Sequence, residues 1–314
     1  MNTHSLITIG ITCFNASDSI GRAIESAQAQ DWPHVEILVV DDCSSDNSCA
    51  VVAGFDGVRL IRHTENTGPG GARKTLLDNA KGEFLAFFDD DDESAPGRIR
   101  IQYERITGYE QKTGASLIAC YASGQRVYPN GYTLDLDMIG LKPVEPHGAE
   151  MAERILYFGS HNPEWHYGGS PSCALMARTE TFKQVGGFDP AFRRVEDLDF
   201  AVRLSLAGGY FIGCPEKLFT QHATEGNDKS YEKNLEAELQ LAEKHQDYLK
   251  SKNRYYYATQ WPRLRYYHFK KDYVRFTLTL MGLVLRHPLA VMSHLLRTGP
   301  ARLLHERKMR KEPA

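Results

Sequence analysis

Long apolar runs are missing from this sequence. The most apolar late segment, Phe276 to Leu285, is too short to cross a bilayer and runs into Arg286, His287 and Pro288, which excludes a transmembrane span there. Met1 to Ser5 leads straight into a strand pattern, with no charged n-region, long h-region or cleavage site, so no secretion signal is read. The six cysteines, Cys13, Cys43, Cys49, Cys120, Cys173 and Cys214, include no Cys-x-x-Cys pair and read as reduced, buried thiols of a cytosolic protein. A formal net charge of -3 gives no global attraction to nucleic acid, although the stretch from about Lys250 is basic. What remains, 314 residues with 42% hydrophobic and 25% charged, is enough for one large core or a catalytic domain with an appendage.

From Leu6 to about Ala122, β-branched runs alternate with helical patterns, the signature of an α/β fold with a mostly parallel sheet flanked by helices. The strand runs are Ile7 to Phe14, Val35 to Val40, Val58 to Ile61, Glu83 to Phe88 and Ser116 to Tyr121. Ile20, Ala23, Ile24 and Ala27 recur at helical spacing, and Gly71 to Ala80 reads as a second helix stopped by Gly82. Residues Val127 to Tyr167, rich in Pro, Gly and His, read as acceptor-side loops and short helices. Ser172 to Ala177 reads as a strand and Leu198 to Leu206 as a helix. Residues Glu232 to Lys250 and Tyr255 to Leu304 form polar and then amphipathic helical patterns. The expected organisation is a catalytic domain over 1–225, with a nucleotide-binding half at 1–122 and an acceptor half at 123–225. A helical, basic and amphipathic extension over 226–314 follows.

Three acidic constellations stand at element ends. In Phe87-Phe88-Asp89-Asp90-Asp91-Asp92 an apolar strand ends in four carboxylates, which repel one another unless a cation binds. Strand alternation places Asp89 and Asp91 on one side, a pair suited to Mg²⁺ or Mn²⁺ shared with a diphosphate. Open α/β sheets bind ligands at these carboxyl ends. In Val39-Val40-Asp41-Asp42-Cys43-Ser44-Ser45-Asp46, a carboxylate is placed to accept the imide N–H of uracil or to bond a ribose hydroxyl. Glu196-Asp197 opens a helix whose dipole favours ionised carboxylates, one of which can act as a general base. Each also has a structural alternative: a solvated acidic turn, helix capping, and an acidic first turn.

The order and spacing of Ile7 to Asn15, Val39 to Asp46, Asn66 to Arg73 and Phe84 to Asp92 resemble the family 2 glycosyltransferases of glycosyltransferase A fold. The resemblance continues through Gly186-Gly187-Phe188-Asp189 and Val195-Glu196-Asp197-Leu198-Asp199, covering roughly Leu6 to His222. It implies that Thr12 and Phe14 line the base pocket, that Asp41 or Asp42 and Arg73 contact base or ribose, and that Asn15 and Asp90 belong to the nucleotide-contacting set. It makes Asp89 and Asp91 the Asp-x-Asp pair for ribose and metal, and His222 a late ligand of metal or diphosphate. It favours Asp197 as the base, with Glu196 orienting the loop or binding acceptor hydroxyls. Thr12 stands where the family commonly has Pro, Cys43 where it has Gly and Lys74 where it has Asn, which bears on donor preference more than on class.

The reaction implied is inverting transfer of a sugar from a nucleotide diphosphate, UDP favoured, to a hydroxyl of a glycan or lipid-linked glycan in surface polysaccharide assembly. A sugar nucleotidyltransferase is the rival enzyme, but it calls for a Gly-rich, basic phosphate loop after the first strand, where this chain has Thr12-Cys13-Phe14-Asn15. A non-catalytic nucleotide-sugar-binding scaffold is the other rival, and it predicts loss of base or metal carboxylates. The stretch Tyr255 to Arg310 suggests peripheral contact with the inner face of the cytoplasmic membrane, or equally an amphipathic helix pair packed on the catalytic domain or a second subunit.

Overall fold

Strand β1 (Ile7–Cys13) is buried on both faces, as the middle strand of a sheet covered on both sides must be. A computed structural model describes residues 4–159, 161–223 and 230–309, with side chains up to 298. After β1 come α1 (Ile20–Gln28), β2 (Val35–Asp41), α2 (Ser48–Ala53), β3 (Val58–Arg62), α3 (Gly68–Asn79) and β4 (Phe84–Asp89). Helix α1 buries Ile20, Ala23, Ile24 and Ala27, the spacing that gives it one apolar face. The chain continues through β5 (Glu93–Ser94), α4 (Arg98–Thr113), β6 (Ile118–Val127), β7 (Thr133–Leu136) and α5 (Gly148–Tyr157). A 3-10 turn at Ser172–Ala174 leads into β8 (Leu175–Arg178), α6 (Thr179–Gln184), α7 (Glu196–Leu206) and β9 (Tyr210–His222).

The sheet order is β3-β2-β1-β4-β8-β6-β9-β5, with β7 added alongside β6. Strands β3, β2, β1 and β4 are parallel to their neighbours. Strand β8 then enters antiparallel to both β4 and β6, whereas β6 and β9 run parallel. The sequence stretch Ser172 to Ala177, read as one strand, divides into the 3-10 turn and β8. Register aligns Thr12 with Val40 and with Asp89, so the carboxyl ends of β1, β2 and β4 finish level with one another. Beside them lies the start of α3, where Gly70 is pressed against the 189–192 segment. A Cβ there would stand 2.6 Å from the Asp189 carbonyl oxygen.

Helix α4, which lacks a clean apolar period, is held by Arg98. This 1% exposed side chain donates to the Phe87 carbonyl at 3.0 Å and the Cys173 carbonyl at 2.6 Å, and its guanidinium lies 4.3 Å from the Phe88 ring centroid. One arginine thereby ties β4, the 3-10 turn and α4 together.

Residues 4–128, 133–151 and 162–223 make up this first compact unit. A second holds residues 129–132, 152–159, 161 and 230–309. Its helices are α8 (Tyr231–Lys244), α9 (Gln246–Ser251), α10 (Tyr255–Phe269), α11 (Tyr273–Arg286) and α12 (Pro288–Met309).

Candidate active site

The loops after β1 and β2 are stitched together. Asn15, in the left-handed region at φ 50°, donates its N–H to Ser44 Oγ at 2.8 Å and accepts the Ser45 N–H at 2.8 Å. Ala16 N–H reaches Ser48 Oγ at 2.9 Å and Ser17 N–H reaches Asp46 Oδ2 at 3.0 Å. Asn15 thus sets the loop, and its neighbour Phe14 stays 49% exposed at the end of a central strand. A flat apolar ring left open there offers a stacking face. Thr12, half-buried, precedes it in β1.

The adjacent aspartates Asp41 and Asp42 have separate jobs. Asp42 accepts from His63 Nδ1 (2.7 Å), Thr67 N–H (2.9 Å), Thr67 Oγ1 (2.8 Å) and Gly68 N–H (2.7 Å), anchoring the start of α3. Burial opposes its charge, but these hydrogen bonds outweigh it and hold the carboxyl below its ordinary pKa. Asp41 is fully buried. Its Oδ2 accepts the Ser44 N–H at 3.1 Å, and among the described residues its Oδ1 has no hydrogen-bond partner. The Cys49 thiol beside it is pushed up by burial first and by Asp41 second.

Arg73, on α3, is the hub of the site. Only 5% exposed, it pairs with Glu196 and, at 3.0 Å, with Asp89 Oδ1. Two elements distant in sequence are thereby held on one guanidinium fork.

The acidic run turns a corner. Strand β4 ends at Asp89, and a 3.4 Å bond from Asp92 N–H to the Asp89 carbonyl closes a turn through Asp90 and Asp91. Strand alternation therefore ends at Asp89 and does not set the direction of Asp91. Asp90 Oδ2 accepts the Phe14 N–H at 3.0 Å, and burial pushes its carboxyl up to about 7. The backbone oxygen of half-buried Asp91 accepts from Arg22 Nη2 at 3.1 Å. Asp92 is 5% exposed; among the described residues no donor meets its oxygens in a full hydrogen bond, although the His222 backbone N–H is near enough to favour its charge. Burial first, then the charges of Asp89 and Asp91, push it up to about 8. Ligand atoms of Asp89, Asp92 and Cys173 lie within 4.8 Å of one another. His222 Nε2 stands 2.9 Å from Glu93 Oε1, which also meets Arg22 at 3.0 Å.

A buried carboxylate without a full hydrogen bond among like charges is a donor set that fits a hard divalent cation, which would neutralise it. The Cys173 thiol is pushed well above its ordinary range, chiefly by burial.

At the start of α7, Val195 sits in the left-handed region at φ 56°, a conformation a β-branched residue adopts only when its surroundings enforce it. Three acids follow. Glu196 is taken by Arg73. Asp199, fully buried, is held by Arg203 at 2.8 Å, and Arg203 also donates to the Gly187 carbonyl at 2.6 Å, fixing the Gly186-Gly187 loop. Asp197 Oδ1 accepts the Leu198 N–H at 2.8 Å, and its carboxyl is pushed up to about 6 by burial first and by Glu196 second. Among the described residues the fully buried Tyr121 hydroxyl has no hydrogen-bond partner, and burial and the negative charge of Asp197 push it up as well. Arg98, Asp92, Cys173 and Tyr121 are the site residues that sequence reasoning missed.

With this geometry in place, the relatives are informative. S. aureus TarS residues 1–349 in complex with UDP-GlcNAc superposes with a TM-score of 0.60 at 19% identity, covering 84% of this chain and 73% of that one. The fold is of the glycosyltransferase A class. Residues 8–147 match the family model described as Glycosyl transferase family 2. Succinoglycan biosynthesis protein ExoO of Rhizobium meliloti is 46% identical over 226 residues, covering 70% of this chain and 62% of that protein. GalNAc(5)-diNAcBac-PP-undecaprenol beta-1,3-glucosyltransferase of Campylobacter jejuni is 35% identical over 118 residues, covering 36% of this chain and 38% of that protein. Residues 8–147 therefore make up a glycosyltransferase family 2 domain. The chain spans 62% of the length of ExoO and of the uncharacterized glycosyltransferase of Haemophilus influenzae, which is 28% identical over 199 residues, 63% of this chain.

Proposed function

We propose that the chain transfers a sugar, with inversion, from a nucleotide diphosphate sugar to a hydroxyl of a glycan or lipid-linked glycan, with Asp197 as general base. The observation that carries this reading is Asp197 itself. It follows a strained Val195 at a helix start, lies beside an Arg73-bound Glu196, and has its carboxyl pushed up to about 6. A carboxyl poised there is ionised at neutral pH yet basic enough to accept a hydroxyl proton as that oxygen attacks the anomeric carbon.

Phe14 stacks on the base. Asp41, with an unpartnered oxygen, is better suited to a base or ribose contact than Asp42, whose oxygens are occupied. A UDP donor is favoured by the family resemblance. A divalent metal, Mn²⁺ or Mg²⁺, would be held by the turn Asp89 to Asp92 and would supply charge neutralisation at the departing diphosphate. His222, paired with Glu93, is better placed to brace this turn than to bind the ion directly. The proposed acceptor class is supported by relatives whose names print an undecaprenol-linked diphosphate, among them the Campylobacter jejuni and Escherichia coli glucosyltransferases.

Turnover across a panel of nucleotide sugars with Mn²⁺ or Mg²⁺ tests the reading. One donor should be consumed only with metal, and Asp91→Ala should abolish this. If no nucleotide sugar binds or turns over under any metal condition, the reading fails.

A further inference from the structure

The sequence separates its charges. Residues 255–314 hold 12 Lys and Arg against three Asp and Glu, in a chain with 37 basic and 40 acidic residues in all. Between Tyr273 and Thr298 there is no acidic residue.

Within the second unit, α11 packs inward through Leu283, with Phe276, Thr279 and Leu280 half-buried. Gly282 lets the Tyr256 hydroxyl close in, since a Cβ there would stand 2.6 Å from it. The opposite face is apolar and open. Val274, Leu278, Met281 and Leu285 follow one another at helical spacing, each more than half exposed, with Leu285 at 80%. On α12, Leu289, Met292 and Leu296 continue the pattern, with Leu289 85% exposed. Seven large apolar side chains exposed in two consecutive helices exceed what scattered surface residues explain. Arg275 and Arg286, 11 positions apart and so on one flank of α11, are exposed, as is Arg297 on α12. Arg286 lies 4.0 Å from the Tyr256 ring centroid, and Arg275 meets Asp272 at 3.5 Å.

We propose that α11 and α12 form a docking surface for an anionic phospholipid bilayer, lying in the headgroup plane with the apolar row toward the acyl chains and Arg275, Arg286 and Arg297 toward lipid phosphates. No helix of the described residues is long and apolar enough to cross a membrane, which leaves an interfacial position as the way to bury this face in lipid. Charge selects the lipid over a second copy. A twin face would bring arginines against a stretch without acids, whereas an anionic headgroup layer supplies their complement.

Flotation of the full chain with phosphatidylcholine vesicles, with and without phosphatidylglycerol, tests this independently of sugar transfer. The protein should float with the anionic vesicles, and salt should release it. Arg286→Gln combined with Arg297→Gln should weaken anionic-vesicle partitioning on the order of 20-fold, about fivefold per cation. Leu285→Ser with Leu289→Ser should weaken it at least about tenfold. Both pairs are exposed, and unchanged melting would show that the fold is intact. Equal binding to neutral and anionic vesicles, or no loss in either double variant, would overturn the proposal. So would light scattering that finds a dimer in lipid-free buffer which Leu285→Ser/Leu289→Ser dissociates, since the face would then be covered by a second copy.

Discussion

Three carboxyls at the site, Asp197, Asp90 and Asp92, are pushed up to about 6, 7 and 8, in each case by burial first. The folded protein holds protons that the unfolded chain releases, so these groups favour folding at low pH. That contribution is lost as pH rises from the ordinary carboxylate range toward about 8. Metal-free protein should therefore melt lower at pH 8 than at pH 6. Asp92→Asn, which removes the most perturbed of the three, should flatten the upper part of that profile and raise the melting temperature at pH 8. A melting curve for the variant that tracks wild type across this window would contradict the assignment. At this scale the sequence picks out acidic stretches at element ends but does not divide labour within them. Asp41 and Asp42 are adjacent, and only the bonds from Thr67 and Gly68 show that Asp42 is structural. Asp92 was invisible as a special case because what distinguishes it, burial without a full hydrogen bond, is a property of packing.

Among elements, α3 and α7 are coupled through Arg73. Arg73→Ala leaves Glu196 buried without its partner and should cost about 3–5 kcal/mol in denaturant unfolding. Arg73→Lys restores the charge but not the fork, and should recover stability better than turnover. The left-handed turn before α7 gives a different expectation. Val195→Gly relieves strain there, so stability should change by no more than about 1 kcal/mol while kcat falls because Asp197 is less firmly aimed. A fall in KM alone would argue that Val195 does not position the base. The parallel strands β1 to β4 were legible as short apolar or β-branched runs, and helix α1 by its single apolar face. Helix α4 was not, because its inner face includes Arg98 and Gln102, polar residues that interrupt an apolar repeat. Strand β8 was legible as a strand, but its antiparallel insertion between β4 and β6 depends on pairings that no local pattern encodes.

Across the whole molecule, the acidic cluster at the strand ends and the basic helical unit carry opposite chemistry. Saturating Mn²⁺ should raise the melting temperature, because a ligand of the native state alone stabilises it, and Asp91→Ala should abolish the rise. The amphipathic character of the C-terminal helices was readable from composition, but which residues face solvent was not. Exposure of Leu285 and Leu289 follows from how α11 and α12 settle within their unit.

The most direct test of the account is Asp197→Asn assayed with the donor that the wild type consumes. Nucleotide binding should persist and transfer should fall about 100- to 10,000-fold, while the wild-type rate declines as pH drops through about 6 because the base becomes protonated. Turnover by Asp197→Asn within a few-fold of wild type, or a wild-type rate that is flat through that pH range, would contradict it.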